Sequence, residues 1–175
     1  MKARTLLVKV ALLAGAAGAA LAGTAAAASA APLPAPHSGH AGPEFFTIVE
    51  NSTYQNGLVN AYGPVAGYNG TLGSNNAGTV AYLQFRHGTV DVAHPVTPDP
   101  EVNLRACTAT VYQTGHWTIT GGTHAYRGAR GAGQFQLYEV SKFARVHGHC
   151  QAGNPAANPV SFQLSVDAEG YASLR

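Results

Sequence analysis

The stretch Gly115–Val140, GHWTITGGTHAYRGARGAGQFQLYEV, decides the fold of this chain. Each of its ends alternates between apolar and polar residues, which is the period of a β-strand with one buried face. Trp117 and Ile119 share a face at the first end, and Phe135 and Leu137 share one at the second. Glycines crowd the segment between them, at positions 121, 122, 128, 131 and 133. They exclude a helix and predict a sharp reversal followed by a bent strand, and Gly122 would be required there if the corner needs positive φ.

The same alternation recurs along the chain. It predicts further strands over about 45–51, 58–65, 79–85, 89–94, 105–114, 134–146 and 160–167. A run of glycine, asparagine and serine over 67–78 predicts a loop. About eight strands without a helix indicate an all-β fold, and their short connections favour an antiparallel meander that closes into a roughly eight-stranded barrel. A β-sandwich is the second candidate.

The first thirty residues have the pattern of a secretory signal peptide. A basic head with Lys2, Arg4 and Lys9 precedes the apolar stretch 10–21, and Ala28-Ser29-Ala30 is a small-x-small cleavage site. We therefore predict a signal peptide over 1–30, a flexible tail over 31–43, and one barrel domain over 44–175 in a secreted protein. The apolar stretch is too short and too rich in alanine for a good membrane span, and the chain has no second one.

Charge argues against a nucleic-acid partner. Without the signal peptide, seven Lys and Arg remain against eight Asp and Glu, a formal charge of about −1. The basic surface that nucleic acids require is therefore missing. Abundant Ala, Gly and Arg beside Lys142, the one lysine that remains after removal of the predicted signal peptide, indicate a bacterial genome rich in G and C.

Cys107 and Cys150 are the two cysteines of the chain. An exported protein with two cysteines most simply pairs them, so we predict a Cys107–Cys150 disulfide. Two free thiols or two metal ligands are the alternatives.

The segment from Gly121 to Gly131, GGTHAYRGARG, resembles the GGTGxFxxARG signature of dirigent proteins, whose fold the allene oxide cyclases share. Secreted bacterial proteins with a paired-cysteine version of the motif also look similar. The resemblance implies an eight-stranded barrel, often trimeric, whose apolar lumen holds a small hydrophobic molecule. It further implies that the barrel guides a cyclisation or a radical coupling without a cofactor. Tyr126 matches the aromatic residue of the motif and Arg130 its arginine, whereas His124 stands where the motif has its third glycine.

Four residues are candidates for chemistry. Glu50 follows Phe46 and Ile48 on one strand face, and Glu139 likewise follows Phe135 and Leu137, so each could place a carboxylate at the end of an apolar wall. Burial there would raise the carboxyl pKa and suit proton transfer, whereas the simpler interpretation places both in water. The guanidinium of Arg130 could hold a ligand anion, or could bond loop carbonyls. An aromatic role for Tyr126 competes with a place in the core.

Trp117, Tyr112 and Phe135 are candidate ligand-binding residues, with core packing or plain surface exposure as the simpler interpretations. His147 and His149, beside Cys150, could join His116 or His124 around a metal, but their spacing is weak evidence and a disulfide would remove the sulfur. We therefore predict no metal and no cofactor.

Two hypotheses follow. In the first, a secreted barrel binds a small apolar or aromatic molecule in its lumen. In the second, a non-catalytic extracellular module fills its lumen with its own side chains and works through its outer surface.

Overall fold

The structure is a computed structural model that describes residues 39–52, 56–154 and 156–175. The predicted signal peptide and the part of the predicted tail before residue 39 lie outside the described residues. The described strands are β1 (Ala41–Asn51), β2 (Leu58–Tyr62), β3 (Gly67–Ser74), β4 (Val80–Phe85), β5 (Gly88–Ala93), β6 (Glu101–Asn103), β7 (Thr108–Gly122), β8 (Arg130–Lys142), β9 (Arg145–Val146), β10 (His149–Cys150) and β11 (Ser161–Ser173). A single 3₁₀ turn, His124–Tyr126, follows β7.

Eight of these strands close into an antiparallel barrel. The order around it is β1, β2, β3, β4, β5, β7, β8 and β11, and β11 pairs again with β1. This confirms the predicted closed meander and rules out the sandwich. The short β6 adds to one edge of β7, and β9 and β10 form a separate hairpin. Closure leaves the eight barrel strands without a free edge along most of their length.

One apolar cluster occupies the inside of the barrel. Alternate residues of every long strand point inward, as the sequence pattern predicts, and Phe46, Val59, Leu83, Val90 and Trp117 belong to the buried set. Phe46 and Trp117 pack edge to face with ring centroids 5.2 Å apart. Side chains of the described residues therefore fill the middle of the lumen.

The two ends of the barrel differ. We call the end where β1 begins the upper end and the end where β1 finishes the lower mouth. At the upper end, the fully buried Tyr126 packs its ring against Phe85 and donates its hydroxyl to the carbonyl oxygen of Ala66 at 3.0 Å. At the lower mouth, the inward-facing Leu164 and Phe162 are only half-buried. The lower mouth is thus the more open end.

The predicted loop over 67–78 is wrong, because most of it forms β3. Its glycines serve packing: a Cβ at Gly67 or Gly70 would lie 2.6 Å from the ring of Phe85. The strand lacks side chains where this ring needs space, so its composition is that of a loop. In addition, β1 begins at Ala41, three residues before the predicted start of the barrel domain.

The corner does not use positive φ at Gly122. Left-handed residues at this reversal are His124 at φ 51° and Gly128 at φ 82°. Gly122 is instead required by close approach, because a Cβ there would collide with the carbonyl oxygen of Tyr126. His124 is therefore a non-glycine residue at positive φ in this reversal.

The predicted disulfide between Cys107 and Cys150 is confirmed, with the two Cα atoms 5.3 Å apart. It ties the β9–β10 hairpin to the start of β7 at the lower mouth. The guanidinium of Arg145 reinforces this link by donating to the carbonyl oxygens of Leu104, Arg105 and Gly148 at 2.7 to 3.3 Å.

Candidate functional site

Two carboxylates face inward at the lower mouth. Glu50 on β1 lies opposite Leu164 on β11, and Leu164 lies opposite Glu139 on β8. Val111 on β7 continues this row on the other side of Glu139. The placement follows from strand period, because each glutamate lies an even number of residues from buried side chains of its own strand. The structure thus brings two of the four predicted residues to one site.

Burial raises the pKa of both carboxyl groups. The negative charge of Glu139 raises the pKa of Glu50 further. A hydrogen bond from Ser141 Oγ to Glu139 Oε1, 3.2 Å long, acts in the opposite direction on Glu139. Within the described residues, no basic side chain forms an ion pair with either glutamate. Each carboxyl group therefore holds its proton to a higher pH than an exposed glutamate does.

Gln113 adds a buried amide to the same wall. It lies two residues from Val111 on the inward face of β7 and opposite Leu137. Its amide nitrogen donates to the carbonyl oxygen of Val96 at 3.1 Å, whereas its buried Oε1 has no hydrogen-bond partner among the described residues. A buried acceptor without a donor is costly and rare in proteins.

Tyr126 and Arg130 lie at the other end of the barrel. Tyr126 is fully buried there and its hydroxyl is engaged by Ala66. Arg130 begins β8, points outward and is exposed. Arg130 lies nine positions before Glu139 along β8, a span of about 30 Å. The structure therefore does not bring Tyr126 or Arg130 to the pair of carboxylates.

The candidate ligand-binding residues are also separated. Trp117 and Phe135 belong to the core, and the indole N–H of Trp117 donates to the carbonyl oxygens of Gln134 and Glu169 at 3.1 and 3.2 Å. Tyr112 lies on the outer face and is 63% exposed.

Glu44 is an inward carboxylate that the sequence analysis missed. It is fully buried at the upper end, where the backbone N–H of Val65 donates to its Oε2 at 2.8 Å. Its Oε1 has no hydrogen-bond partner in the part of the chain that the structure describes. Burial raises the pKa of Glu44 to about 7 against the lowering effect of the Val65 hydrogen bond. Burial, and then the charge of Glu44, raise the pKa of Tyr126 to about 12. Glu44 lies two residues before Phe46 on the same strand, and this spacing could have identified it from the sequence as an inward-facing residue.

Metal ligands do not gather in the described part of the chain, which holds no group of three or more His, Cys, Asp or Glu arranged around a common point. His147 and His149 are exposed, and the sulfur of Cys150 is used in the disulfide. No helix among the described residues is long and apolar enough to cross a membrane.

Comparison with protein-family models, with curated proteins and with solved structures finds no match to this chain.

Proposed function

We propose that this protein is a secreted barrel that binds a small apolar or aromatic molecule at the lower mouth, where Glu50 and Glu139 act on a polar atom of that molecule. The observation that carries the proposal is the pair of inward carboxylates on an apolar wall without a basic partner. Burying such groups costs stability, and the hydrogen bond from Ser141 to Glu139 offsets only part of that cost. Perturbed carboxyl groups of this kind are enriched at functional sites.

The pair suits proton transfer. Two carboxyl groups that repel each other release their protons in separate steps, so one is protonated while the other is ionised over part of the pH range. The protonated group would donate a hydrogen bond to a ligand oxygen, and the ionised group would accept a proton. Leu164 and Val111 supply apolar contacts on either side of Glu139. A cyclisation or isomerisation that needs only proton movement requires no cofactor.

The cyclisation that the resemblance to the allene oxide cyclases implies is a reaction of this class. A secreted location and a homotrimer belong to the same proposal. The disulfide supports export, because disulfides persist in oxidising compartments. The packed middle of the lumen limits the site to the mouth, so we expect a ligand that inserts only in part.

The test uses N-phenyl-1-naphthylamine, a neutral aromatic probe whose fluorescence rises in apolar sites. We expect the wild-type protein to bind it more weakly as pH rises, because ionised Glu50 and Glu139 disfavour an apolar ligand. Glu50→Gln/Glu139→Gln should bind the probe with little dependence on pH. Glu169→Gln is the matched control, because it removes an outward carboxylate from β11.

Binding that is absent from the wild type, or equal in the wild type and the double variant at every pH, would contradict the proposal. Native mass spectrometry of protein from its own host should show a retained small molecule in the wild type. The same spectrum reports whether the protein is a trimer.

A second candidate function is a non-catalytic extracellular module. The observation that favours it is the apolar cluster that fills the middle of the lumen. In that case neither the wild type nor the double variant would bind the probe, and the double variant would be the more stable of the two at neutral pH, because the two carboxylates would only cost stability.

A further inference from the structure

The outer face of the barrel carries a depression that is separate from the lower mouth. It spans the four neighbouring strands β1, β11, β8 and β7 and has a volume of about 560 Å³. A second depression of about 370 Å³ shares Phe45, Gln134 and Glu169 with it. We call the two together the outer groove.

The groove forms where the sheet wall is thin. Gly133 and Gly170 lie opposite each other on β8 and β11 with their missing side chains toward the lumen. A Cβ at either position would lie 2.7 Å from the indole ring of Trp117. The two strands therefore rest on this ring, and the indole N–H holds the carbonyl oxygens of Gln134 and Glu169. The outward side chains beside the glycines then line a hollow.

Two rows of outward side chains line the groove. One row contains Phe45, Glu169, Gln134 and His116 in register across the four strands. The next row toward the lower mouth includes Asp167 and Gln136, which face each other on β11 and β8. Carboxylates accept hydrogen bonds, and the amides and imidazole both accept and donate them. The groove therefore offers several hydrogen-bond donors and acceptors on neighbouring strands.

Aromatic rings stand at both sides of these rows. Phe45 is 47% exposed at the end of its row, and Tyr171 is 59% exposed on the next outward position of β11. On the side toward the lower mouth, Tyr112 and Tyr138 face each other across β7 and β8. From the level of Tyr171 to the level of Tyr138 is six residues of strand, about 20 Å. This length accommodates more than one sugar ring.

The chemistry of the groove selects among ligands. Asp167 and Glu169 disfavour an anion, because the described lining residues include no Lys or Arg. A purely apolar ligand would desolvate both carboxylates without giving them a partner. A metal ion lacks a ligand set, because the described residues hold no suitable group of three. Sugar hydroxyl groups can donate to the carboxylates and pair with the amides, while sugar C–H faces stack on aromatic rings.

We propose that the outer groove binds a neutral, extended carbohydrate chain, with Gln134, Gln136, Asp167 and Glu169 as the hydrogen-bonding residues and Phe45 as a stacking platform. This site is independent of the lower mouth, so the barrel can attach to a polysaccharide while its mouth stays accessible. It gives the chain a second ligand of a different chemical class.

The test uses soluble cello-, xylo- and chito-oligosaccharides in isothermal titration calorimetry with the full secreted protein. We expect at least one of them to bind, and Gln134→Ala/Gln136→Ala to bind it about tenfold more weakly or not at all. Gln84→Ala is the matched control, because it removes an outward glutamine from β4 on the opposite side of the barrel. The Gln84→Ala control should bind the oligosaccharide as the wild type does. Phe45→Ala, like the double variant, should bind it more weakly.

Several results would overturn the proposal. One is that none of the three oligosaccharides binds, or that the double variant binds as well as the wild type while its melting temperature is unchanged. A second is that only deacetylated, cationic chito-oligosaccharides bind and that salt abolishes the binding. A third is that the double substitution instead breaks up an oligomer, which would make the groove an interface between copies. Glu50→Gln/Glu139→Gln should leave carbohydrate binding intact, so this test is separate from that of the lower mouth.

Discussion

At the residue scale, Glu44 shows how a carboxyl group makes stability depend on pH. Burial raises its pKa from 4.5 to about 7 in the folded state, while the unfolded chain keeps the ordinary value. Below pH 4.5 both states are protonated and the folded state has its full stability. Between pH 4.5 and 7 the unfolded state has released a proton that the folded state still holds, so stability falls as pH rises.

We expect the free energy of unfolding to decrease by up to about 3 kcal/mol from pH 4.5 to 8 because of Glu44. Glu44→Gln should remove most of this decrease, and Glu50 and Glu139 supply a smaller part with the same sign. Urea denaturation at several pH values measures it, with Glu169→Gln as the control. A Glu44→Gln variant with the same pH dependence as the wild type would mean that Glu44 is not buried as an isolated acid.

The two mouth glutamates should be coupled, because the charge of Glu139 contributes to the raised pKa of Glu50. We expect Glu139→Gln to lower the pKa of Glu50 while leaving it above the value of an exposed glutamate, since burial remains the larger cause. Carbon-13 NMR titration of the side-chain carboxyl carbons measures this shift. An unchanged Glu50 titration would show that the charges of the two carboxylates do not interact.

At the element scale, glycines let strands and rings approach each other. A Cβ at Gly133 would collide with the carbonyl oxygen of Glu169 on the neighbouring strand and press on Trp117. At Gly73 of β3, an added Cβ would find only ordinary contacts of 3.5 Å or more. These two strand glycines therefore separate close packing from the general effect of glycine on a strand.

We expect Gly133→Ala to destabilise the protein by about 2 to 3 kcal/mol through overpacking. Gly73→Ala should be neutral or slightly stabilising, because it removes backbone freedom from the unfolded chain. Urea denaturation of both variants measures the difference. Equal effects of the two substitutions would show that β8 and β11 do not lie directly on Trp117.

At the scale of the whole molecule, the disulfide closes a long loop that contains all of β7 and β8. Cys107 and Cys150 are 43 residues apart in sequence. Cross-linking a loop of this length restricts the unfolded chain and stabilises the fold by about 4 kcal/mol in the chain-entropy model. We expect Cys107→Ser/Cys150→Ser to lose most of this stability.

The matched comparison is the wild-type protein with and without reductant. Reduction should cost the wild type about as much stability as the double substitution does. The melting temperature of the oxidised wild type, the reduced wild type and the double variant measures the effect. A double variant that melts at the wild-type temperature would show that the bond does not constrain the unfolded chain.

Strand period predicted much of the barrel, because side-chain direction alternates with sequence position whatever the partner strand. Phe46, Trp117 and Phe135 could therefore be assigned inward from sequence, and so could Glu50 and Glu139. The same rule would have found Glu44. It failed over 67–78, because glycines that make room for Phe85 have the composition of a loop.

Register and end closure were decided only by the tertiary structure. Which strand pairs with which determines that Glu50 and Glu139 share a row through Leu164, while Tyr126 and Arg130 lie at the opposite end. The packed lumen and the outer groove likewise depend on how the strands rest on Trp117. Local alternation assigns each side chain to a face of its own strand. Contacts between residues far apart in sequence depend on how the strands pair around the closed barrel, and no local pattern records that.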